Sequence, residues 1–223
     1  MYLFLKRVFD IIFSSMVLIV VLPVFLPVMV LLKLTGEGKV FYIQQRVGRD
    51  MKPFGLIKFA TMLEDSANLP GGDITTGDDP RVLKVGKYLR KTKLNEFPQF
   101  INILKGDMSV VGPRPITFKN YAYYSEGVQN LIKDLKPGLS GIGSIIFRDE
   151  EGFIRESKKD ALTFYKEDIA PFKGELESWY SKNRGLLTDF LIVYTTAYVV
   201  VFPKSKIVYR LFNDLPNHKI FTK

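Results

Sequence analysis

The chain has 223 residues, no cysteine, one histidine and a formal net charge of +9, so disulfides, thiolate metal sites and thiol nucleophiles are excluded. The histidine, His218, lies in a basic stretch where a solvated role is the natural reading, which leaves serine-histidine triads and histidine-zinc sites without support. What remains for reactive chemistry is oxygen, from carboxylates and hydroxyls, with Lys and Arg to hold anions such as nucleic acid, anionic lipid or phosphorylated small molecules.

Residues 11–32, IIFSSMVLIVVLPVFLPVMVLL, are apolar throughout except for Ser14 and Ser15. A run of about 20 such residues matches a hydrocarbon core of ~30 Å. The segment is longer than the apolar part of a cleavable signal, and no small-x-small site follows it. Lys6 and Arg7 precede it, while Lys33, Lys39, Arg46, Arg49 and Lys52 follow it. Both flanks therefore carry the basic residues that cytoplasmic ends collect, and a straight span satisfies only one of them. Pro23 and Pro27 each delete a backbone donor and crowd the preceding turn. They predict a kink or membrane break near Leu22 and Pro23, with a helix that enters, bends and returns to the same face, Ser14, Ser15 or packed neighbours meeting the freed carbonyls. A spanning helix is the alternative.

Beyond this segment the composition becomes that of a globular domain. KVFYIQQRVG, 39–48, alternates like a strand, and PFGLIKFATM, 53–62, follows at hairpin distance. Residues 63–81 are polar, rich in Gly and Asp and without period, which reads as a mobile loop or lid. Val82, Val85, Tyr88 and Leu89 predict a short basic amphipathic helix. Phe97, Phe100, Ile101 and Leu104 predict a second helix that starts close to Asn95 and Glu96 and stops at Gly106. KPGLSGIGSIIFRDEEG, 136–152, is turn-rich and then strand-like, and 155–184 reads as a charged helical stretch. Residues 186–202 are apolar but carry Asp189 and fall short of a typical span, which favours a buried or interface-lying helix. The basic residues Lys204, Lys206, Arg210, Lys219 and Lys223 suit anionic lipid or a solvated tail equally.

The richest stretch is LNEFPQFINILKGDMSVVGPRP, 94–115. A helix N-terminus offers unpaired N–H groups and partial positive charge, a seat for phosphate. Glu96 there would repel phosphate unless a divalent cation such as Mg2+ stood between them. Alternatively Asn95 is only a helix cap and Glu96 only complements the dipole. Arg114, with prolines on both sides, is either a surface residue of a rigid turn or a pre-positioned guanidinium for phosphate.

KRVFD before an apolar segment, RVG then PF then KF, DPRVLKVGKYLRKTKLNEFPQFINILKGDMSVVGPRP and KPGLSG together resemble the bacterial sugar transferase family, the monotopic phosphoglycosyl transferases. The likeness is dense from residue 6 to about residue 150. It implies transfer of a sugar 1-phosphate from a nucleotide diphosphate sugar, with a UDP-sugar as the first expectation, to polyprenyl (undecaprenyl) phosphate. It also implies Mg2+, the cytoplasmic face of the bacterial inner membrane, and a place at the start of glycoconjugate or exopolysaccharide synthesis. The fold class expected is helix-rich α+β: a re-entrant membrane helix at 1–34, a small cytoplasmic α/β transferase domain with interfacial helices at 35–203, and a basic tail at 204–223. Partners beyond the substrates are anionic membrane lipid and no nucleic acid, since no reader motif accompanies the charge. A homodimer is left open.

Residue by residue, the resemblance carries Glu96 as a metal-associated catalytic partner. Lys58, Arg81, Arg90, Gln99, Asp107 and Arg114 fall on phosphate- or nucleotide-sugar-binding positions, and Arg148 is offered for nucleotide or sugar recognition. The family's nucleophilic Asp is Asn95 here, and a neutral amide is a poor phosphoryl acceptor. Three accounts follow. Glu96 is the acceptor; or the lipid phosphate attacks directly with Asn95 donating a hydrogen bond; or turnover is lost and the protein is a membrane-bound binding scaffold.

Overall fold

The computed structural model describes residues 1–66, 79–203 and 205–222. Lys204, Lys223 and most of the expected lid lie outside the described residues. The ends of that loop are joined: the Leu63 N–H donates to the Arg81 carbonyl at 3.0 Å, and Met62 bridges Val82.

Helix α1 is Tyr2–Leu34, and its backbone stays helical through Pro23 and Pro27. The expected break is therefore not present as an interruption, because the residues on either side of the prolines keep their own helical bonds. At 1.5 Å per residue the helix is about 50 Å long, more than a hydrocarbon core requires. Its apolar composition is long enough to cross a membrane. Asp10, Ser14, Phe25 and Leu32 are buried, with Phe13, Val17, Leu18, Val21, Val28 and Met29 packed beside them. These positions form one stripe at helical spacing, while Phe4, Ile12, Ile19, Val20, Leu26 and Val30 stand exposed on the remaining surface. Both ends of α1 meet the same globular domain. Near the N-terminus the Lys6 ammonium pairs with Asp189 at 2.5 Å, and Asp10 accepts from the Val110 N–H at 2.8 Å. Near the other end Phe25 and Leu32 pack with Phe59 and Leu89, each side chain contributing about 1.5–3 kcal/mol by burial.

Strands β1, Phe41–Val47, and β2, Pro53–Phe59, form the expected antiparallel hairpin with Lys58 opposite Tyr42 and Arg46 opposite Phe54. Helix α2, Lys84–Lys91, buries Leu89 but leaves Tyr88 75% exposed, so Tyr88 does not belong to the apolar face assigned from spacing. Helix α3 is Gln99–Lys105, and it stops at Gly106 in the left-handed region at φ 96°. Its buried apolar residues are Phe100 and Ile103, a face rotated from the expected Phe97, Phe100, Ile101 and Leu104. The rotation follows from Asn102, which faces inward and clamps β2: its Nδ2 donates to the Gly55 carbonyl at 2.8 Å and its Oδ1 accepts from the Ile57 N–H at 3.0 Å. Arg7 donates to the Ile103 and Leu104 carbonyls at 2.6 and 2.7 Å, satisfying orphan acceptors at the α3 C-terminus.

Strand β3, Ser109–Val111, leads through helices α4, Phe118–Tyr121, and α5, Glu126–Ile132, to β4, Gly138–Ser140, which pairs with it in parallel. The strands approach so closely that a Cβ on Gly138 would stand 2.0 Å from the Gly112 nitrogen. Only glycine permits this approach, and it sets GPRP beside KPG. Helices α6, Ile142–Ile146, α7, Glu150–Glu156, and α8, Ala161–Phe164, follow; a π-turn at Tyr165–Ile169 leads into α9, Ala170–Asn183. The strand expected after KPG is thus β4 alone, with helix after it. Helix α9 supplies Phe172, Leu176, Trp179 and Tyr180 to the main core. Helix α10, Leu186–Val201, buries Asp189, Ile192, Thr195 and Val199 and exposes Leu187, Phe190, Tyr194 and Val201, the pattern of a surface helix with an apolar outer face. Helix α11, Ile207–Leu211, closes the order. The result is the helix-rich α+β class.

Candidate active site

Side chains alternate across a strand, so one face of the hairpin presents Tyr42, Gln44 and Arg46 from β1 with Phe54, Leu56 and Lys58 from β2. This face meets the GPRP turn and the residues just before α3. Arg46, Lys58, Glu96, Gln99 and Arg114 together line one polar recess over Leu56 and Pro115.

Each charged group is held from several elements. Arg46 donates to the Gln44 Oε1 at 2.5 Å and to the Pro115 carbonyl at 3.5 Å. The Arg114 guanidinium lies 3.4 Å from the Ser144 Oγ and 3.7 Å from the Glu96 Oε1. Burial alone would push the Glu96 carboxyl up. The Arg114 guanidinium, with Lys58, Lys93 and a hydrogen bond to Gln99, outweighs it and holds the group at about 2. Glu96 is thus ionised throughout the physiological range. Burial pushes the Lys58 ammonium down to about 8 against the attraction of Glu96, with Arg46, Arg114 and Arg90 adding repulsion. Among the described residues Arg46, Lys58 and Arg114 line this recess with the Glu96 carboxylate, a setting that suits a phosphate-bearing anion.

The helix start expected at Asn95 and Glu96 lies a few residues later, at Gln99. Asn95 and Glu96 lie in a 3-10 turn, Leu94–Glu96, entered through Lys93 at φ 60°. That turn runs straight on into α3: Phe97 N–H bonds Leu94, Phe100 N–H bonds Phe97, and Ile101 N–H bonds Pro98. The N–H groups of Glu96, Phe97, Phe100 and Ile101 are engaged within this continuous turn, and α3 itself has only 7 residues. The charged side chains of Arg46, Lys58 and Arg114 line the recess. Asn95 is buried at 6% exposure, and its Oδ1 has no hydrogen-bond partner among the described residues.

The other expected residues stand apart. Arg90 donates to Glu151 at 3.0 Å, and its charge is felt at Lys58. Arg81 is buried against Asp79 at 2.5 and 2.8 Å and the Ser66 carbonyl at 2.7 Å, closing the loop ends. Asp107 accepts from the Asn102 Nδ2 at 3.2 Å, supporting the β2 clamp. Arg148 donates to the Val199 carbonyl near the end of α10. Pro23 and Pro27 lie within α1. Conversely, Arg46 belongs to the recess although its position after the apolar segment suggested a membrane flank; strand alternation with Gln44, Leu56 and Lys58 was the signal for it. Glu177, on α9, accepts the Arg114 backbone N–H at 3.3 Å. Burial pushes its carboxyl up to about 7, against the hydrogen bond from Arg114 and the charges of Lys173 and Arg114. No local pattern marks Glu177, since its partner is 63 residues away.

The model of the family described as bacterial sugar transferase matches residues 1–203. The chain is 36% identical over 213 residues to the undecaprenyl-phosphate galactose phosphotransferase of Salmonella typhimurium, an alignment covering 89% of this chain and 40% of that protein. It is 42% identical over 144 residues to the UDP-glucose:undecaprenyl-phosphate glucose-1-phosphate transferase of Klebsiella pneumoniae, covering 63% of this chain and 30% of that one. Against the exopolysaccharide production protein ExoY of Sinorhizobium fredii it is 31% identical over 205 residues, covering 86% and 83%. The chain thus spans about two fifths of the galactose phosphotransferase and most of ExoY.

Proposed function

We infer, since this chain belongs to the bacterial sugar transferase family, that it moves a sugar 1-phosphate from a UDP-sugar to undecaprenyl phosphate at the cytoplasmic face of the membrane, beginning a glycoconjugate or exopolysaccharide. The observation that carries this reading is the recess where Arg46, Lys58 and Arg114 surround an ionised Glu96. The relatives' names, two with undecaprenyl phosphate and one with exopolysaccharide, supply the substrate classes.

In the reaction, an oxygen of the lipid phosphate bonds to the phosphorus bearing the sugar, and the bond from that phosphorus to the bridging oxygen breaks. The nucleoside monophosphate leaves with the bond's electrons. Lys58, Arg46 and Arg114 hold the diphosphate and stabilise charge as it shifts, the main demand of phosphoryl transfer. A nucleophilic role suits Glu96 poorly, because a carboxyl held at about 2 between cations is weakly basic. Asn95 serves as a hydrogen-bonding amide beside it. Among the described residues no group of three or more potential metal ligands occurs. The donor set fits Mg2+ carried mainly by substrate phosphates, with Glu96 as the carboxylate that lines the recess among the described residues. Bound there, the ion would neutralise diphosphate charge.

The same-face path of α1 is part of this proposal. A helix whose two ends both pack on one domain, through Asp189 at one end and Phe59 at the other, favours burial from one side over a crossing. The apolar outer face of α10 suits the same membrane surface. Membrane vesicles given several labelled nucleotide sugars and undecaprenyl phosphate should yield labelled lipid diphosphate-sugar and free UMP. No product with any donor would sink the reading. In the same vesicles, tags at the two chain ends should be accessible from one side only.

Lys58 gives the reaction a pH signature. Its ammonium is charged below about 8 and neutral above it, so kcat/KM for the donor should fall as pH rises through that value. Lys58→Arg, which keeps its charge to high pH, should remove this limb. A limb of unchanged position in the Arg variant would exclude Lys58 as its source.

A further inference from the structure

Proline has no N–H, so within Pro113-Arg114-Pro115 the only backbone donor is that of Arg114. The strand side of this turn is fixed by the Gly112 N–H on the Ser140 carbonyl at 2.9 Å and the Gly138 N–H on the Pro113 carbonyl at 2.7 Å. The remaining donor goes to the Glu177 Oε1 at 3.3 Å. Glu177 is 2% exposed, and a carboxylate at such depth is costly to bury. The ion pair that commonly offsets this cost is directed elsewhere: Lys173, one turn earlier on α9, holds Glu150 at 2.5 Å. Glu177 Oε2 has no hydrogen-bond partner among the described residues. Gly143 approaches so closely that a Cβ there would stand 2.7 Å from Oε1, which confines the carboxylate to its place against the turn.

We propose that Glu177 is a positioning residue: it fixes the Arg114 backbone so that the guanidinium is held toward Glu96 and the donor's diphosphate. It touches neither substrate nor the reacting atoms. The assignment rests on the transfer reaction inferred above and extends the site to a residue on α9.

Glu177→Gln keeps an acceptor oxygen at the same reach, whereas Glu177→Leu removes it at similar volume. The Leu variant should lose roughly 30-fold in kcat/KM, in line with the large rate cost of small misplacements, with its thermal midpoint unchanged or raised. The Gln variant should stay within about threefold of wild type, and in an Arg114→Ala background Glu177→Leu should cost nothing further, since its effect passes through Arg114. The assignment is overturned if the Leu variant transfers like wild type, if Gln and Leu fall together with the thermal midpoint, or if the Leu and Arg114→Ala losses multiply. Should wild type transfer no sugar phosphate, the reaction itself fails. Wild type, Glu177→Leu, Arg114→Ala and the double variant titrated with UDP-glucose and Mg2+ then decide the assignment: Glu177→Leu must weaken binding when Arg114 is present and leave it unchanged when Arg114 is Ala.

Discussion

Glu96→Gln should lower kcat for sugar-phosphate transfer by about 10³-fold while leaving the donor's KM equal or lower. The substitution is nearly isosteric and preserves a polar contact for Gln99, so the fold of the 3-10 turn has little reason to change. What it removes is charge. With Glu96 ionised, Arg46, Lys58 and Arg114 share the recess with its carboxylate; with Gln that negative charge is gone, so a diphosphate is attracted at least as strongly. Arg114 and Lys58 lose the anchor that orients them, and the protein loses its one described carboxylate for a phosphate-bound cation. Removing a single preorganised electrostatic group typically costs about 10²–10³ in kcat, and leaving a partly buried pair without its counter-charge adds to this. Steady-state kinetics beside a thermal unfolding trace would check it. A variant that transfers within tenfold of wild type would remove Glu96 from the mechanism.

Asn95→Asp should change the kind of intermediate. Incubated with labelled UDP-sugar and no lipid acceptor, it should acquire label on the protein, whereas wild type should remain unlabelled. The reason is nucleophilicity: an amide oxygen does not take a phosphoryl group, but a carboxylate can. Position 95 is adjacent to the recess residue Glu96 on the same turn, with its Oδ1 unengaged among the described residues. Asn95→Ala should still transfer, within about tenfold of wild type, since only one hydrogen bond is lost. If wild type itself became labelled, and Glu96→Gln abolished the label, then Glu96 would be the acceptor and direct attack by the lipid phosphate would be wrong.

Local physics made much of this molecule readable from its residues. Alternation over 39–62 predicted the hairpin, and Gly106 marked the end of α3 because only a left-handed residue closes that turn cheaply. The length and apolarity of 11–32, and the short apolar stretch broken by Asp189, marked α1 and α10. Within the site, Glu96 and Arg114 were legible from the residues themselves and Lys58 and Gln99 through the family resemblance, and the structure brings these four together.

Other features depended on partners distant along the chain. Asn102 turned α3 so that its buried face differed from the one spacing suggested, because hydrogen bonds to Gly55 and Ile57 outweighed burial of Ile101 and Leu104. Arg81 and Arg148 carry the same charge as Arg114. Yet Asp79, Ser66 and the Val199 carbonyl already engage them, and no composition pattern reveals that a guanidinium is spoken for. The continuous helical backbone through Pro23 and Pro27 likewise required the packed stripe on α1 to be known. The sequence alone determined which elements form and which residue types could meet a phosphate, since propensity and periodicity act over a few neighbours. Which of those charges share a recess, and that Glu177 stands behind Arg114, was decided by tertiary packing, since hydrogen bonds and burial select partners by distance in space and not along the chain.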